Sequence, residues 1–128
     1  GVQTCALPIL FGDSLAQQAQ EKYTVLELDT FNLLPTTETL TAYCLVEYIP
    51  IEEMSDLSNL KQLHSDLMTE YRKQNWDFCE QTITELTGKW NGELDSFYAE
   101  LVKRIHTLKH SDLPEDWTGR VDKTVEVV

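Results

Sequence analysis

Apolar residues recur at three- and four-residue steps through three stretches of residues 55–110, and this periodicity restricts the fold more than any other feature. One helical turn takes about 3.6 residues, so these steps place the apolar side chains on one face of a helix. The predicted N-caps are Ser55 or Asp56, then Asn75, then Asn91. The three stripes are Leu57, Leu60, Leu63, His64, Leu67, Met68 and Tyr71; Trp76, Cys79, Ile83 and Leu86; and Leu94, Phe97, Tyr98, Leu101, Val102, Ile105 and Leu108. The pattern predicts a three-helix bundle, with Gly88 ending the second helix.

Residues 23–50 have the composition and alternation of two β-strands. The first runs over 23–31 and the second over about 39–49, joined by a loop at 32–38 that contains Pro35. One face of the second strand is apolar throughout: Leu40, Ala42, Cys44, Val46 and Tyr48. An isolated hairpin is marginal in water, so we expect this face to cover the helices.

These segments predict an α+β fold in which a short N-terminal helix and an antiparallel β-hairpin pack on a three-helix bundle. The short helix begins at Asp13 or Ser14 and runs towards Lys22. We expect a single domain over 10–128, made of the hairpin at 23–50, the bundle at 55–110 and a tail at 111–128. The tail, with Trp117 and the alternating Val121, Val125 and Val127, could add a strand, fold back on the helices or fray.

The first nine residues, Gly-Val-Gln-Thr-Cys-Ala-Leu-Pro-Ile, stand apart from this pattern. The string resembles the conceptual translation of a common sequencing adapter. We therefore expect residues 1–9 to be an artefact or a disordered extension, and assign no function to Cys5 or Pro8.

Charge and cysteine content limit the partners and the compartment. The formal net charge is −12, from 22 acidic and 10 basic residues, which disfavours binding to nucleic acid and to anionic membrane surfaces. No apolar run approaches the ~18 residues that a membrane span needs.

The three cysteines, Cys5, Cys44 and Cys79, form no C-x-x-C pair. An odd number of unpaired cysteines indicates free thiols in a reducing compartment, so the predicted location is the cytoplasm.

The spacing of Tyr71, Trp76, Cys79 and Ile83 resembles one tetratricopeptide repeat (TPR). In such a hairpin one aromatic residue ends the first helix, a second wedges between the helices, and a small residue lets the backbones approach. Cys79 stands where alanine is usual, whereas Leu67 replaces the usual glycine. A lone repeat cannot bury its own face, so the helix at 92–109 must complete the bundle.

A second resemblance covers residues 63–119. Its anchors are Tyr71-Arg72, Trp76-Asp77, Asn91-Gly92, Tyr98, Arg104, Pro114, Asp116-Trp117 and Gly119. Their order is similar to the helical tail that follows the catalytic domain in many bacterial class III nucleotide cyclases. The resemblance implies an appendage of a signalling enzyme and carries over no catalytic residue. The acidic composition is also similar to that of proteins from environmental tailed phages.

The residue types that could carry chemistry do not form a catalytic pattern. His106 and His110 share a helix face but lack further ligands at suitable spacing, so we predict no metal site and no cofactor. The carboxylate pairs Glu52-Glu53 and Glu115-Asp116 are expected to be exposed, and His64 to lie at the edge of its stripe. The hairpin register predicts that Cys79 is buried and therefore inert.

The predicted function is thus that of a non-catalytic protein-interaction or scaffold module, which engages a partner through its helical groove or a free strand edge. An independent small enzyme is the least favoured alternative. The candidate partner-binding residues are Trp90, Trp117 and Tyr98, because exposed aromatic residues are typical of interfaces. The oligomeric state is left open.

Overall fold

The computed structural model describes residues 9–20 and 22–124 and confirms the α+β class. Its strands are β1 (Ile9–Phe11), β2 (Thr24–Leu34), β3 (Thr39–Val46) and β4 (Val121–Thr124). Its helices are α1 (Asp13–Ala19), α2 (Ile51–Met54), α3 (Leu57–Arg72), α4 (Trp76–Leu86) and α5 (Asp95–Leu108), with a 3₁₀ turn at Trp90–Gly92 before α5. Within the described ranges, no helix combines the length and apolarity that crossing a membrane requires.

The four strands form one sheet in the order β1-β3-β2-β4. The predicted antiparallel hairpin is its centre, with Leu26 opposite Cys44. Both edge strands were absent from the prediction as assigned elements: β1 pairs antiparallel with β3, and β4 pairs parallel with β2. Ile9, the last residue of the stretch expected to be an artefact or a disordered extension, belongs to β1 and pairs with Leu45. Cys5, Pro8, Val125 and Val127 lie outside the described residues.

A bulge in β2 changes which side chains face the core. The register with β3 shifts between Glu27 and Thr30, and the consecutive residues Leu28 and Asp29 are both buried. A regular strand would turn one of the two away. The Asp29 carboxylate accepts two hydrogen bonds from Arg104 of α5, at 2.8 Å from Nη1 and 3.1 Å from Nη2. This bidentate ion pair joins the sheet to α5.

Only part of the apolar face of β3 is covered. Cys44 and Val46 are buried, but Leu40 is 43% exposed and Tyr48, beyond the end of the strand, is 59% exposed. The prediction that this face lies against the helices along its whole length is therefore wrong at both ends. Burial along β3 increases towards its C-terminal end, where Cys44 and Val46 lie.

Helices α3 and α4 pack on each other as a helical hairpin, with Trp76 partly buried between Tyr71 and Trp117. Tyr71 is buried at the end of α3, and its ring centroid lies 5.6 Å from that of Trp76, the first residue of α4, at an interplanar angle of 70°. One turn later, Cys79 is fully buried and its Sγ lies 3.8 Å from the carbonyl oxygen of Leu67. A small side chain at this point allows the close approach of the two backbones.

The turn between α4 and α5 differs from the prediction. Asn91 does not cap α5, because its backbone is left-handed (φ 57°) inside the 3₁₀ turn and α5 begins only at Asp95. Gly88 has φ +90°, as expected of a residue that ends a helix in a left-handed conformation. Its N–H donates to the Asp95 carboxylate at 2.8 Å, which closes the turn.

The tail folds back on both layers of the molecule. The centroid of the Trp117 ring lies 5.7 Å from that of Tyr71 and 5.8 Å from that of Trp76, so the three rings form an aromatic triad. Gly119 has φ +78°, and a Cβ there would lie 3.5 Å from the Tyr71 ring and 3.4 Å from Arg72. Two residues after Gly119, the chain enters β4, which pairs with the edge of β2. The tail therefore ties the helical hairpin to the sheet.

We predict that Trp117→Ala lowers the free energy of unfolding by about 2 kcal/mol, because it removes one partner from a tilted aromatic triad that is partly buried. Asp116→Ala, a change at the exposed neighbouring residue, is the control and should leave the stability within about 0.5 kcal/mol of the parent. Urea unfolding of the three proteins measures the difference. Equal midpoints for Trp117→Ala and the parent would show that the tail does not stabilise the fold.

Candidate functional site

Three large apolar side chains are exposed within residues 48–54, in the segment that connects β3 to α3. Tyr48 is 59% exposed, Ile51 81% and Met54 57%. Ile51 and Met54 are separated by three positions of α2, which makes them neighbours on its surface. Tyr48 precedes Ile51 by three residues, so their Cα atoms are within about 11 Å. We call these three residues the apolar end surface.

Helix α2, which carries most of this surface, is held by its one buried residue. Glu53 is only 8% exposed, and its Oε1 accepts a hydrogen bond of 3.0 Å from the backbone N–H of Trp90. The prediction that Glu52 and Glu53 are both exposed is therefore wrong for Glu53. Because Ile51 and Met54 flank this anchored residue on a single helical turn, fixing Glu53 orients both of them outward.

The Glu53 contact is the first in a series of hydrogen bonds through the core. Trp90 Nε1–H donates to the Tyr98 hydroxyl oxygen at 2.9 Å, and the same hydroxyl lies 2.8 Å from Nδ1 of His64. His64 Nε2 lies 2.6 Å from the carbonyl oxygen of Glu27 in β2. We call Glu53, Trp90, Tyr98, His64 and the Glu27 carbonyl the buried polar chain.

The direction of each bond in the buried polar chain follows from the Glu27 carbonyl. A carbonyl oxygen only accepts, so His64 must carry its proton on Nε2. Nδ1 of the neutral ring is then an acceptor, and the Tyr98 hydroxyl donates to it while accepting from Trp90. Burial lowers the pKa of His64 to about 4, in keeping with a neutral ring. Every polar atom of these three side chains has a partner.

Two of the three residues predicted to bind a partner belong to the buried polar chain. Trp90 and Tyr98 each have no exposed surface, so neither can contact a partner in this conformation. Trp117 is partly buried against Tyr71 and Trp76. His64, predicted at the edge of its stripe, is 1% exposed. His64, Trp90 and Tyr98 are buried for the same reason. Each polar atom of their side chains has a hydrogen-bond partner, which removes most of the free-energy cost of taking that atom out of water.

Acidic groups surround the apolar end surface. Glu47 and Glu52 are exposed, and Glu93 is half-buried. The pKa of Glu93 is raised, first by burial and second by the negative charge of Glu47, which places these two carboxylates near each other. The surface thus combines an apolar centre with a negatively charged border.

A shallow depression of about 350 Å³ lies on α3, next along the chain from α2. It is lined by Asp56, Asn59, Gln62, Leu63 and Asp66. Leu63 is half-buried and is the only apolar residue of the lining, and an aspartate stands at either end. The depression continues the acidic, partly apolar character of the neighbouring surface.

A cavity of about 220 Å³ lies beside His64, between β2, β3 and α3. Three polar residues of its lining have partners within the protein: Glu27 pairs with Arg72 at 3.3 Å, Tyr43 is hydrogen-bonded to Asp13, and His64 belongs to the buried polar chain. The pKa of Tyr43 is raised to about 12, chiefly by burial.

The remaining candidates for chemistry are placed as follows. Burial raises the pKa of the Cys44 and Cys79 thiols to about 12, so both are protonated at neutral pH. His106 and His110 are exposed at the end of α5. Among residues 9–20 and 22–124, no group of three His, Cys, Asp or Glu side chains is arranged to hold a metal ion.

A scan against protein-family models and searches of curated proteins and of solved structures each gave no match.

We predict that Tyr98→Phe lowers the free energy of unfolding by about 2–3 kcal/mol, because it leaves Trp90 Nε1–H and His64 Nδ1 buried without partners. Tyr23→Phe, at a tyrosine that is 50% exposed, removes the same hydroxyl without burial and should change the stability by less than about 0.5 kcal/mol. Chemical denaturation followed by tryptophan fluorescence measures both. Equal effects of the two substitutions would contradict the buried polar chain.

The low pKa of His64 predicts a pH-dependent stability. Its folded pKa of about 4 lies below the 6.5 of a histidine in an unfolded chain, so the unfolded chain binds the proton more tightly. The stabilisation is complete above the unfolded pKa and is lost as the pH falls towards 4. We expect this residue to account for a loss of about 2 kcal/mol between pH 7.5 and pH 5.

The variant His64→Leu isolates this contribution, because carboxylates titrate alike in both proteins. His64→Leu should be less stable than the parent at pH 7.5, since the Tyr98 hydroxyl loses its acceptor. The difference in unfolding free energy should shrink by about 2 kcal/mol by pH 5. A difference that stays constant with pH would mean that His64 is not buried in its neutral form.

Proposed function

We propose that this chain is a non-catalytic protein-interaction module, and that the apolar end surface is its docking site. The observation that carries the proposal is the exposure of three large apolar side chains within residues 48–54, of which Ile51 is 81% exposed. Burying one such side chain is worth about 1.5–3 kcal/mol, which makes a cluster of three a suitable centre for an interface. Scattered single apolar residues would carry no such argument.

The rigidity of this surface supports the proposal. Glu53 anchors α2 to the backbone of Trp90, and Trp90 is fixed in turn by Tyr98. A docking site that is already ordered loses little conformational entropy when a partner binds. The two partner routes expected of a TPR-like module, a helical groove and a strand edge, are less open: Trp117 packs on the helical hairpin and β4 pairs with β2.

We predict that Ile51→Asp weakens partner binding at least about tenfold, because it places a charge at the centre of the interface. The matched control is Leu15→Asp on α1, where the parent side chain is 56% exposed. The full chain and both variants would be used to capture proteins from the native cell lysate. A benzophenone cross-linker placed at position 51 or 15 would locate the contact.

The expected result is a protein that binds the parent and Leu15→Asp, is lost with Ile51→Asp, and cross-links from position 51. Thermal unfolding must show that both variants remain folded, since changes at exposed sites cost less than about 0.5 kcal/mol. Binding that survives Ile51→Asp, or the absence of any captured protein, would contradict the proposal.

A second proposal is that the chain is an appendage of a nucleotide cyclase-type signalling enzyme. One observation favours it: several anchors of that resemblance, namely Tyr71, Trp76, Trp117 and Gly119, lie together in the structure. Shared anchors that contact one another are what a common helical tail would require. Coding sequence upstream for a sheet with two metal-binding aspartates would support this proposal, and an unrelated upstream sequence would count against it.

A further inference from the structure

The chain around the apolar end surface has a one-sided charge. Residues 44–60 contain four acidic residues and no lysine or arginine. Of these four, Glu47, Glu52 and Asp56 are exposed, whereas Glu53 is used internally. Opposite charges within the segment are therefore not available to neutralise the exposed carboxylates locally.

The apolar character extends from this segment onto α3. The depression there has Leu63 as its apolar floor, with Asp56 at one end and Asp66 at the other. Their carboxylates accept hydrogen bonds from the side chains of Asn59 and Gln62, at 2.9 Å in each case. Each aspartate keeps further acceptor sites for an incoming donor, since an ionised carboxylate has about four.

Charge decides among the possible occupants of this surface. A second copy of the chain would bring Glu47 and Glu52 of two molecules, each with a net charge of −12, into one interface, which is electrostatically unfavourable. An anionic membrane would be repelled for the same reason. A cationic segment with apolar anchors would be attracted to the border while burying the centre.

We infer that the partner presents a basic amphipathic segment, with apolar side chains that cover Ile51 and Met54 and lysine or arginine residues that meet Glu47, Glu52 and the aspartates of the α3 depression. This inference rests on the proposed function and specifies the partner's chemistry. Apolar contact would set the lifetime of the complex, and charge would set its rate of formation and its selectivity.

The probe is a labelled synthetic peptide of about 18 residues made of leucine and lysine. Its leucines recur at three- and four-residue steps, so that in a helix they share one face and the lysines occupy the other. A second peptide has glutamate in place of every lysine and keeps the same leucines. Fluorescence anisotropy with the full chain would measure both affinities. We expect the lysine peptide to bind at least about tenfold more tightly, with an affinity that falls between about 50 and 300 mM NaCl.

Two double variants separate local from overall charge. Glu47→Gln with Glu52→Gln changes the net charge from −12 to −10 (−12 + 2), and so does Glu100→Gln with Glu115→Gln at exposed sites elsewhere. We expect the first pair of substitutions to weaken binding of the lysine peptide by about three- to tenfold and to make that affinity less dependent on salt. The second pair should change the affinity by less than about twofold, because those charges are screened at a distance.

The outcomes distinguish this inference from the proposed function. Equal effects of the two double variants, or equal binding of the two peptides, would overturn the inference that the partner is basic. If a captured protein is still lost with Ile51→Asp in that case, the docking site itself stands. If Ile51→Asp binds the lysine peptide as tightly as Leu15→Asp does, the apolar end surface is not the docking site and both proposals fail.

Discussion

The buried polar chain is the interaction on which the rest of the structure depends. It begins at the Glu53 carboxylate and passes through Trp90, Tyr98 and His64 to the Glu27 carbonyl. It therefore connects α2, the turn before α5, α5, α3 and β2, which no single apolar contact does. A network in which every member is satisfied specifies one arrangement of the core, whereas removal of one member leaves its neighbours unpaired at high cost.

The buried polar chain also fixes the position of the candidate docking site. Four-residue helices have little stability of their own, so α2 needs tertiary contacts to persist. The bond from Trp90 N–H to Glu53 supplies such a contact and leaves Ile51 and Met54 facing outward. Core and surface are thus linked: a core substitution such as Tyr98→Phe acts on the anchor of the site without touching the partner.

The candidate site was only partly predictable from sequence. Trp90 and Tyr98 were chosen because aromatic residues are common at interfaces, but nothing local indicated that Tyr98 could satisfy both Trp90 and His64. Ile51 and Met54 were not assigned, although Pro50 followed by acidic residues is a signal for the start of a helix. The exposure of an apolar residue is decided by what packs beside it, and that information is absent from a short stretch of sequence.

The sequence by itself determined the hairpin of β2 and β3 and the positions of α3, α4 and α5, because strand and helix periods are local properties that apolar spacing reveals. The spacing of Tyr71, Trp76 and Cys79 also indicated that these residues lie where α3 meets α4. The tertiary structure alone decided the edge strands β1 and β4, the inward turn of Asp29 at the bulge and the burial of His64. Each of these depends on partners distant in sequence: strand edges are filled by whatever segment reaches them, and a polar side chain is buried only where another element completes its hydrogen bonds.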